Sequence, residues 1–367
     1  MSLKVALVGC GKIADGHVEE IQKLGDLARV VAVCDLEPLM AEQVAVRYGI
    51  PSQYADFEQM LAREKPDVVH ITTPPQSHLS LGKIALDVGC HIYVEKPLTL
   101  NYADSKQLVD HAVRVGKKLT IGYTYLFDPP ALAMREMIRK GVLGDPVHIE
   151  SFYGYNLAGP FGAAILGDGS HWVHRLPGKL FHNNIDHLLY KMTEFMDDEK
   201  PCIRAMGYTR REQRYGDDRD TMLDELRVLI QGTQTSVYGT FSSHIRPAGN
   251  FARIYGTKNT LNVDYLNRTV TLATAPSLPS AVGRLLPPFQ EAWQYLREGR
   301  RNLQRFLKSD FHFFSGLNRL ISLYYESILN DTPVPIPYRD MLRIAAMMDE
   351  IFRQIDLQQI DIQEGQL

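Results

Sequence analysis

In the first third of the chain, short apolar runs alternate with segments of helical period. Positions 5–8, 30–34, 67–71 and 90–94 are rich in Val and Ile and have the length expected of strands buried on both faces. Ile13, Val18, Ile21 and Leu24 recur at helical spacing after the first run. Helical segments at 38–48, 78–88 and 101–115 follow later ones, with Asn101 placed to cap the last. A run around Tyr54 and another at 118–121 complete the series. This alternation predicts an α/β domain over residues 1–122, built on a doubly wound parallel sheet.

The pattern changes after Gly122. An amphipathic helix at 129–140 precedes an alternating strand at 147–155, and 184–196 reads as one helix. Strand-like runs then crowd together at 203–209, 223–231, 236–244, 251–255 and 268–273. Strands with few helices between them predict an α+β domain over 123–367, with a large, mostly antiparallel sheet flanked by helices. Its sheet face is expected to hold a substrate. The stretch 153–172 lacks a period and reads as a loop forming a lid that carries Trp172. Pro276, Pro279, Pro287 and Pro288 punctuate a second loop. A basic, aromatic helix follows over 289–310, carrying Trp293, Tyr295, Arg297, Arg300, Arg301, Arg305, Phe306 and Lys308. An ordinary amphipathic helix with a solvated basic face is its first reading, ahead of a membrane-surface or an oligomer-contact helix. Two helices at 317–330 and 338–355 close the chain and are expected to pack back on the first domain.

Composition narrows this picture little. The chain has 367 residues, 45% of them hydrophobic and 23% charged, with a net charge of −3, so nucleic acid is not an expected partner. No stretch approaches the ~18–20 apolar residues of a membrane span, and no signal-peptide pattern opens the chain, so cytoplasm is the expected location. Cys10, Cys34, Cys90 and Cys202 are scattered with no C-x-x-C, and three of them fall beside strands of the first domain, which suits buried free thiols. His171, His174, His182 and His187 lie near one another without a compact ligand spacing, so no metal site is expected.

Candidate chemistry collects at the carboxyl ends of the predicted strands. Gly9-Cys10-Gly11-Lys12-Ile13-Ala14 stands between a strand and a helix, the context of a dinucleotide fingerprint in a Rossmann domain. Gly9 permits the tight turn, Gly11 lets backbone approach a pyrophosphate, and Lys12 and Ile13 open the helix whose N–H groups favour negative charge. Asp35 ends the second strand, where a carboxylate can bind the adenosine ribose hydroxyls. A 2′-phosphate at ~4 Å from that carboxylate would be repelled by ~4 kcal/mol at an effective dielectric of ~20. NAD is therefore expected over NADP, with Arg47 the cation that could alter the balance. Thr73, Pro74, His78, Glu95 and Lys96 lie at or just beyond the ends of later strands.

Three stretches together resemble the glucose–fructose oxidoreductase/inositol dehydrogenase (Gfo/Idh/MocA) family. They are the glycine turn; Thr73-Pro74-Pro75-Gln76-Ser77-His78 with 89–97, which ends in Glu95-Lys96-Pro97; and Gly122-Tyr123-Thr124-Tyr125 with the 143–146 turn. The resemblance, which also takes in 256–264, implies an NAD(P)-dependent oxidoreductase acting on a sugar, nucleotide-sugar or cyclitol carbinol. It implies that Lys96 and His187 flank the reacting carbon, with Lys96 orienting the hydroxyl and His187 as the acid–base group. Glu95 and the Thr73-Pro74 turn would line the nicotinamide. Around His187 the family pattern is altered: Asn183 stands in place of an aspartate, Ile185 of a glycine and Tyr190 of a later aspartate. Tyr125, Trp172, His182 and Asn183 are the candidate substrate contacts. The resemblance also implies a homodimer or homotetramer through the C-terminal sheet. Two alternatives stay open: an NAD-retaining enzyme that cleaves glycosides, and a non-catalytic NAD-binding sensor of the same fold.

Overall fold

Six short strands carry the predicted apolar runs: β1 (Leu3–Val8), β2 (Ala28–Cys34), β3 (Ser52–Tyr54), β4 (Val68–Ile71), β5 (His91–Val94) and β6 (Leu119–Ile121). All pair in parallel, in the order β3-β2-β1-β4-β5-β6. This is the doubly wound order, and its switch point lies between β1 and β4. Helices α1 (Lys12–Gln22), α2 (Pro38–Tyr48), α3 (Phe57–Glu64), α4 (His78–Asp87) and α5 (Tyr102–Arg114) make the crossovers. Side-chain oxygens of Asp56 and Asn101 cap α3 and α5 by accepting from Gln59 N–H and Asp104 N–H, and Gly49 ends α2 in the left-handed conformation. Val5, Ala6, Leu7, Val68, Val69 and Ile71 have no exposed surface, as strands covered on both faces require.

The computed structural model describes residues 2–210, 213–215, 218–220, 222–274, 280–308, 311–312 and 314–363. It divides into two units, Met1–Thr124 with Gly316–Ala346, and Tyr125–Ser315 with Met347–Leu367. In the second unit, α6 (Pro129–Arg139) precedes β7 (Pro146–Asn156), α7 (Pro160–Gly167), α8 (Lys179–Asn184) and α9 (Asp186–Leu189). There follow β8 (Cys202–Tyr208), the small pair β9 (Gln213–Tyr215) and β10 (Asp218–Asp220), then β11 (Glu225–Gln231), β12 (Ser236–Ser242), β13 (His244–Gly256), β14 (Asn259–Asp264) and β15 (Thr269–Thr274). Seven strands form one sheet in the order β15-β14-β13-β7-β12-β11-β8, antiparallel except where β12 meets β7. One face packs Ile149, Val228, Ile230, Val237 and Ile254 into the core. Val147, Met206, Leu229, Tyr238 and Phe251 stay exposed. After α10 (Ser280–Leu307), helix α11 (Ser315–Leu329) and the start of α12 (Tyr338–Gln363) return to the first unit. There the Tyr324 hydroxyl donates to the carbonyls of Ile92 and Lys118, at 2.7 and 2.8 Å.

Four expectations are corrected. The 184–196 segment is not one helix: α8 stops at Asn184, α9 is a single turn, and a 3-10 turn covers Tyr190–Met192. Polar side chains compete for backbone there, Asn184 Nδ2 donating to Leu180 O and Asp186 Oδ1 accepting from the His187 N–H. The 153–172 stretch is not a loop: β7 continues to Asn156, and Pro160, favoured in a first helical turn, begins α7. Pro287 and Pro288 lie within α10, at the cost of backbone hydrogen bonds but without ending the helix; residues 276 and 279 fall outside the described residues. Finally, α10 presents its apolar stripe to solvent, not its basic face alone.

Candidate active site

At the switch point of the first unit, Gly9 adopts φ +95°, and a Cβ there would lie 2.7 Å from the backbone nitrogen of Thr73. Only glycine fits this close approach of the β1 and β4 ends. Gly11, by contrast, has nothing within 4 Å of where its Cβ would be, and no side chain caps the α1 start. An open cradle before an uncapped helix N-terminus, beside Lys12 and Ile13, fits a pyrophosphate. Asp35 Oδ2 accepts from Cys10 N–H at 2.6 Å and Oδ1 from Glu37 N–H at 2.9 Å. Its carboxylate thus ties the β2 end to the glycine turn and keeps acceptor capacity for ribose hydroxyls. Arg47 pairs with Asp15, 2.6 Å away, so its guanidinium is engaged elsewhere. Gly9→Ala is expected to destabilise the first unit by about 2–4 kcal/mol through strain and overlap, and to weaken NAD binding. Urea unfolding and a cofactor titration check this; unchanged values in both would refute the reading of the turn.

Beyond β5, Glu95 and Lys96 are half-buried. Glu95 Oε1 lies 2.9 Å from His17 Nε2, and Oε2 accepts from Lys96 N–H at 3.3 Å. A Cβ on Gly122 would come within 2.6 Å of Glu95 Oε1, so that glycine makes room for the carboxylate. Burial pushes the Glu95 pKa up, but the His17 hydrogen bond and the neighbouring charges of His17 and Lys96 outweigh it, leaving it below the ordinary value. Behind Glu95 the chain of contacts continues: His17 Nδ1 to His70 Nδ1 at 2.8 Å, and His70 Nε2 to the Tyr325 hydroxyl at 2.7 Å. Burial first, then His17, hold the His70 pKa well below its usual value, so His70 is neutral. With Glu95 ionised, His17 Nε2–H donates to Glu95, and a single proton lies between the two Nδ1 atoms of His17 and His70. His78 is wholly buried, with Nε2 2.8 Å from Thr73 O and Nδ1 3.0 Å from Pro97 O. It braces the Thr73-Pro74 turn against the Glu-Lys-Pro loop, which is a positioning role.

In the second unit, His187 sits in a box of tyrosines, its ring centroid 4.7 Å from Tyr153, 5.3 Å from Tyr125 and 5.6 Å from Tyr190. Its Nδ1 lies 2.8 Å from the Tyr190 hydroxyl. Burial drives the Tyr190 pKa well above its usual value, so the partner of this imidazole is a neutral phenol. Tyr125, whose pKa burial and Asp128 raise to about 12, joins His187 to a cavity of about 220 Å³ lined also by Tyr265 and Arg268. Asn183 is buried in α8, four residues before His187. His182, expected as a substrate contact, is buried and stacked on Phe352, with ring centroids 5.2 Å apart. Trp172 lies half-buried beside His171. Lys191 was not singled out by the sequence: it is buried, and its Nζ donates to Phe152 O, Asn250 Oδ1 and Phe251 O at 3.0, 2.8 and 3.3 Å. Next to α9, it reads in sequence as an ordinary surface lysine.

Residues 3–123 match the family model described as an oxidoreductase family with an NAD-binding Rossmann fold, Gfo/Idh/MocA. The match is confined to the segment that carries the parallel sheet. D-glucoside 3-dehydrogenase of Escherichia coli K12 is 35% identical over 144 residues, 39% of this chain and 41% of that protein. D-apiose dehydrogenase of Paraburkholderia graminis is 32% identical over 143 residues, 39% and 38% of the two. The chain thus spans about two-fifths of the length of these relatives in the matched segment. Over nearly the whole chain, the fold is that of a levoglucosan dehydrogenase solved with NADH and levoglucosan, with TM-score 0.79, 17% identity and coverage of 96% of this chain and 97% of that one. Among the described residues no helix is long and apolar enough to cross a membrane, and no group of three or more His, Cys, Asp or Glu is placed to hold a metal ion.

Proposed function

We propose that the protein oxidises or reduces a carbinol carbon of a sugar, nucleotide-sugar or cyclitol, with NAD as the hydride partner. The observation that carries this reading is the Gly9–Gly11 cradle, with Asp35 and the ionised Glu95 at the ends of one parallel sheet. NAD is preferred over NADP because Asp35 meets the ribose end and Arg47 is held by Asp15. When bound, the nicotinamide supplies the site that accepts or returns a hydride. The rest falls to the chain's own groups. As the carbinol hydrogen leaves with its electron pair, the hydroxyl proton must go to a base. We assign Lys96 to hold and polarise the hydroxyl, and His187 to take its proton at Nε2, with Nδ1–H then donating to Tyr190 Oη. A phenol oxygen stabilises the resulting imidazolium less than a carboxylate would. Asn183 and Tyr125 are assigned to substrate hydroxyls. Self-association is assigned to the exposed sheet face of Met206, Leu229, Tyr238 and Phe251, and the location to the cytoplasm, where NAD is supplied.

The test is a panel of aldoses, glycosides, nucleotide-sugars and inositols, each with NAD and separately with NADP, followed by the absorbance of reduced nicotinamide. Turnover with NAD on one class, faster than with NADP, is expected. Absence of nicotinamide reduction across the panel, in a protein that binds NAD, would overturn the reading.

A further inference from the structure

Helix α10 is an amphipathic helix turned inside out. Its polar side faces the protein body: the Gln294 side chain accepts from Leu272 N–H at 2.7 Å and donates to Leu272 O at 3.0 Å, so it pairs with β15 as a neighbouring strand would. Eight residues on, Asn302 Nδ2 donates to Asn267 O, and Glu298 between them is buried. The opposite side carries Leu285, Phe289, Trp293, Leu296, Leu303 and Leu307, every one more than half exposed. At 100° per residue these six fall within an arc of about 80°, on a 28-residue helix about 42 Å long. Single exposed apolar residues are ordinary, but a continuous stripe of this length marks a surface that is covered in use.

Charge selects what covers it. α10 holds five arginines and two glutamates, while the chain as a whole has a net charge of −3, so a basic strip stands on an acidic body. Arg297 and Arg300 border or enter the apolar arc, and the Arg297 guanidinium lies 5.5 Å from the Trp293 ring centroid. Pairing the stripe with the same stripe of a second copy would set arginines against arginines. A surface of anionic headgroups over hydrocarbon satisfies both features, as it does for basic amphipathic helices with Trp, Phe and Leu on the apolar side. We propose that α10 is a membrane-surface helix, which lies in the headgroup region of an anionic phospholipid bilayer with the Leu285–Trp293–Leu307 stripe inserted. It lies along the surface and does not cross it.

The test uses the full-length protein with vesicles of phosphatidylcholine alone and of phosphatidylcholine with phosphatidylglycerol. Trp172→Phe leaves Trp293 as the sole indole. Co-sedimentation with the anionic vesicles is expected, at least about tenfold stronger than with the neutral ones and weakened by added salt, with a blue shift of Trp293 emission. Leu296→Glu with Leu303→Glu, both at exposed positions that leave folding intact, is expected to reduce the partitioning about tenfold or more. Failure to bind anionic vesicles, or equal binding by the double variant, would overturn the proposal. So would a wild-type oligomer that the double variant dissociates in ultracentrifugation without any vesicle binding, since α10 would then cover a second copy.

Discussion

His187→Gln is expected to lower turnover about 10²–10⁴-fold while changing the NAD dissociation constant by no more than a factor of about two. The amide keeps the size and polarity of the side chain but cannot shuttle a proton, so the loss falls on the chemical step. Cofactor affinity is assigned in this proposal to the glycine turn, Asp35 and Glu95, all in the other unit. The pH profile adds a readout that packing would not move: the acid limb of kcat/KM carried by the imidazole should vanish in the variant. Tyr190→Phe removes the hydroxyl 2.8 Å from His187 Nδ1 and should cause a smaller loss with the ring in place. Lys96→Met should fall in the same range as His187→Gln. A turnover within a factor of about two of wild type in either variant would remove that residue from the mechanism.

The stability of the protein should rise with pH between about 7 and 10, and Lys191→Met should abolish that rise. Burial pushes the Lys191 pKa from 10.5 down to about 7, with only the distant Asp264 opposing it. A folded-state pKa below the unfolded one means that the unfolded chain binds the proton more tightly across this window. The cost of holding an ammonium in the interior is therefore present in full below about pH 7, and it is relieved as pH rises toward 10.5. At 1.36 kcal/mol per unit, the gain is roughly 3–5 kcal/mol over the window. Urea unfolding of both proteins at several pH values gives the difference, in which other groups cancel. Parallel curves would show that the three acceptors around Nζ keep the ammonium charged throughout.

Much of the first unit could be read along the chain because its signals are local. A Val- and Ile-rich run, a glycine turn and a helical period lie within some twenty residues of one another, and strand order then places Gly9 beside Thr73. The array behind Glu95 is different in kind: His17, His70 and Tyr325 are separated by 53 and 255 positions, and only the sheet and the return of α11 bring them together. His70 sits in an apolar strand, and its lone polar side chain was the one available hint. Tyr190 could be aligned with a missing aspartate, yet nothing in the sequence said that its hydroxyl would reach the imidazole. The period of α10 was plain, whereas the face it turns to the body depends on Gln294 finding the edge of β15. The helix expected over 184–196 failed because side-chain hydrogen bonds of Asn184 and Asp186 outbid helical continuation, a competition that period alone does not register.

The central claim is that a substrate carbinol hydrogen leaves as hydride for NAD. The most direct measurement supplies the sugar or cyclitol found active in the panel, deuterated at its carbinol carbons, with NAD, and analyses the nicotinamide released by mass spectrometry. One deuterium per reduced nicotinamide, in a yield that matches the oxidised product, is the predicted result. Substrate cleaved or unchanged with no net reduced nicotinamide, or reduced nicotinamide without deuterium, would contradict it.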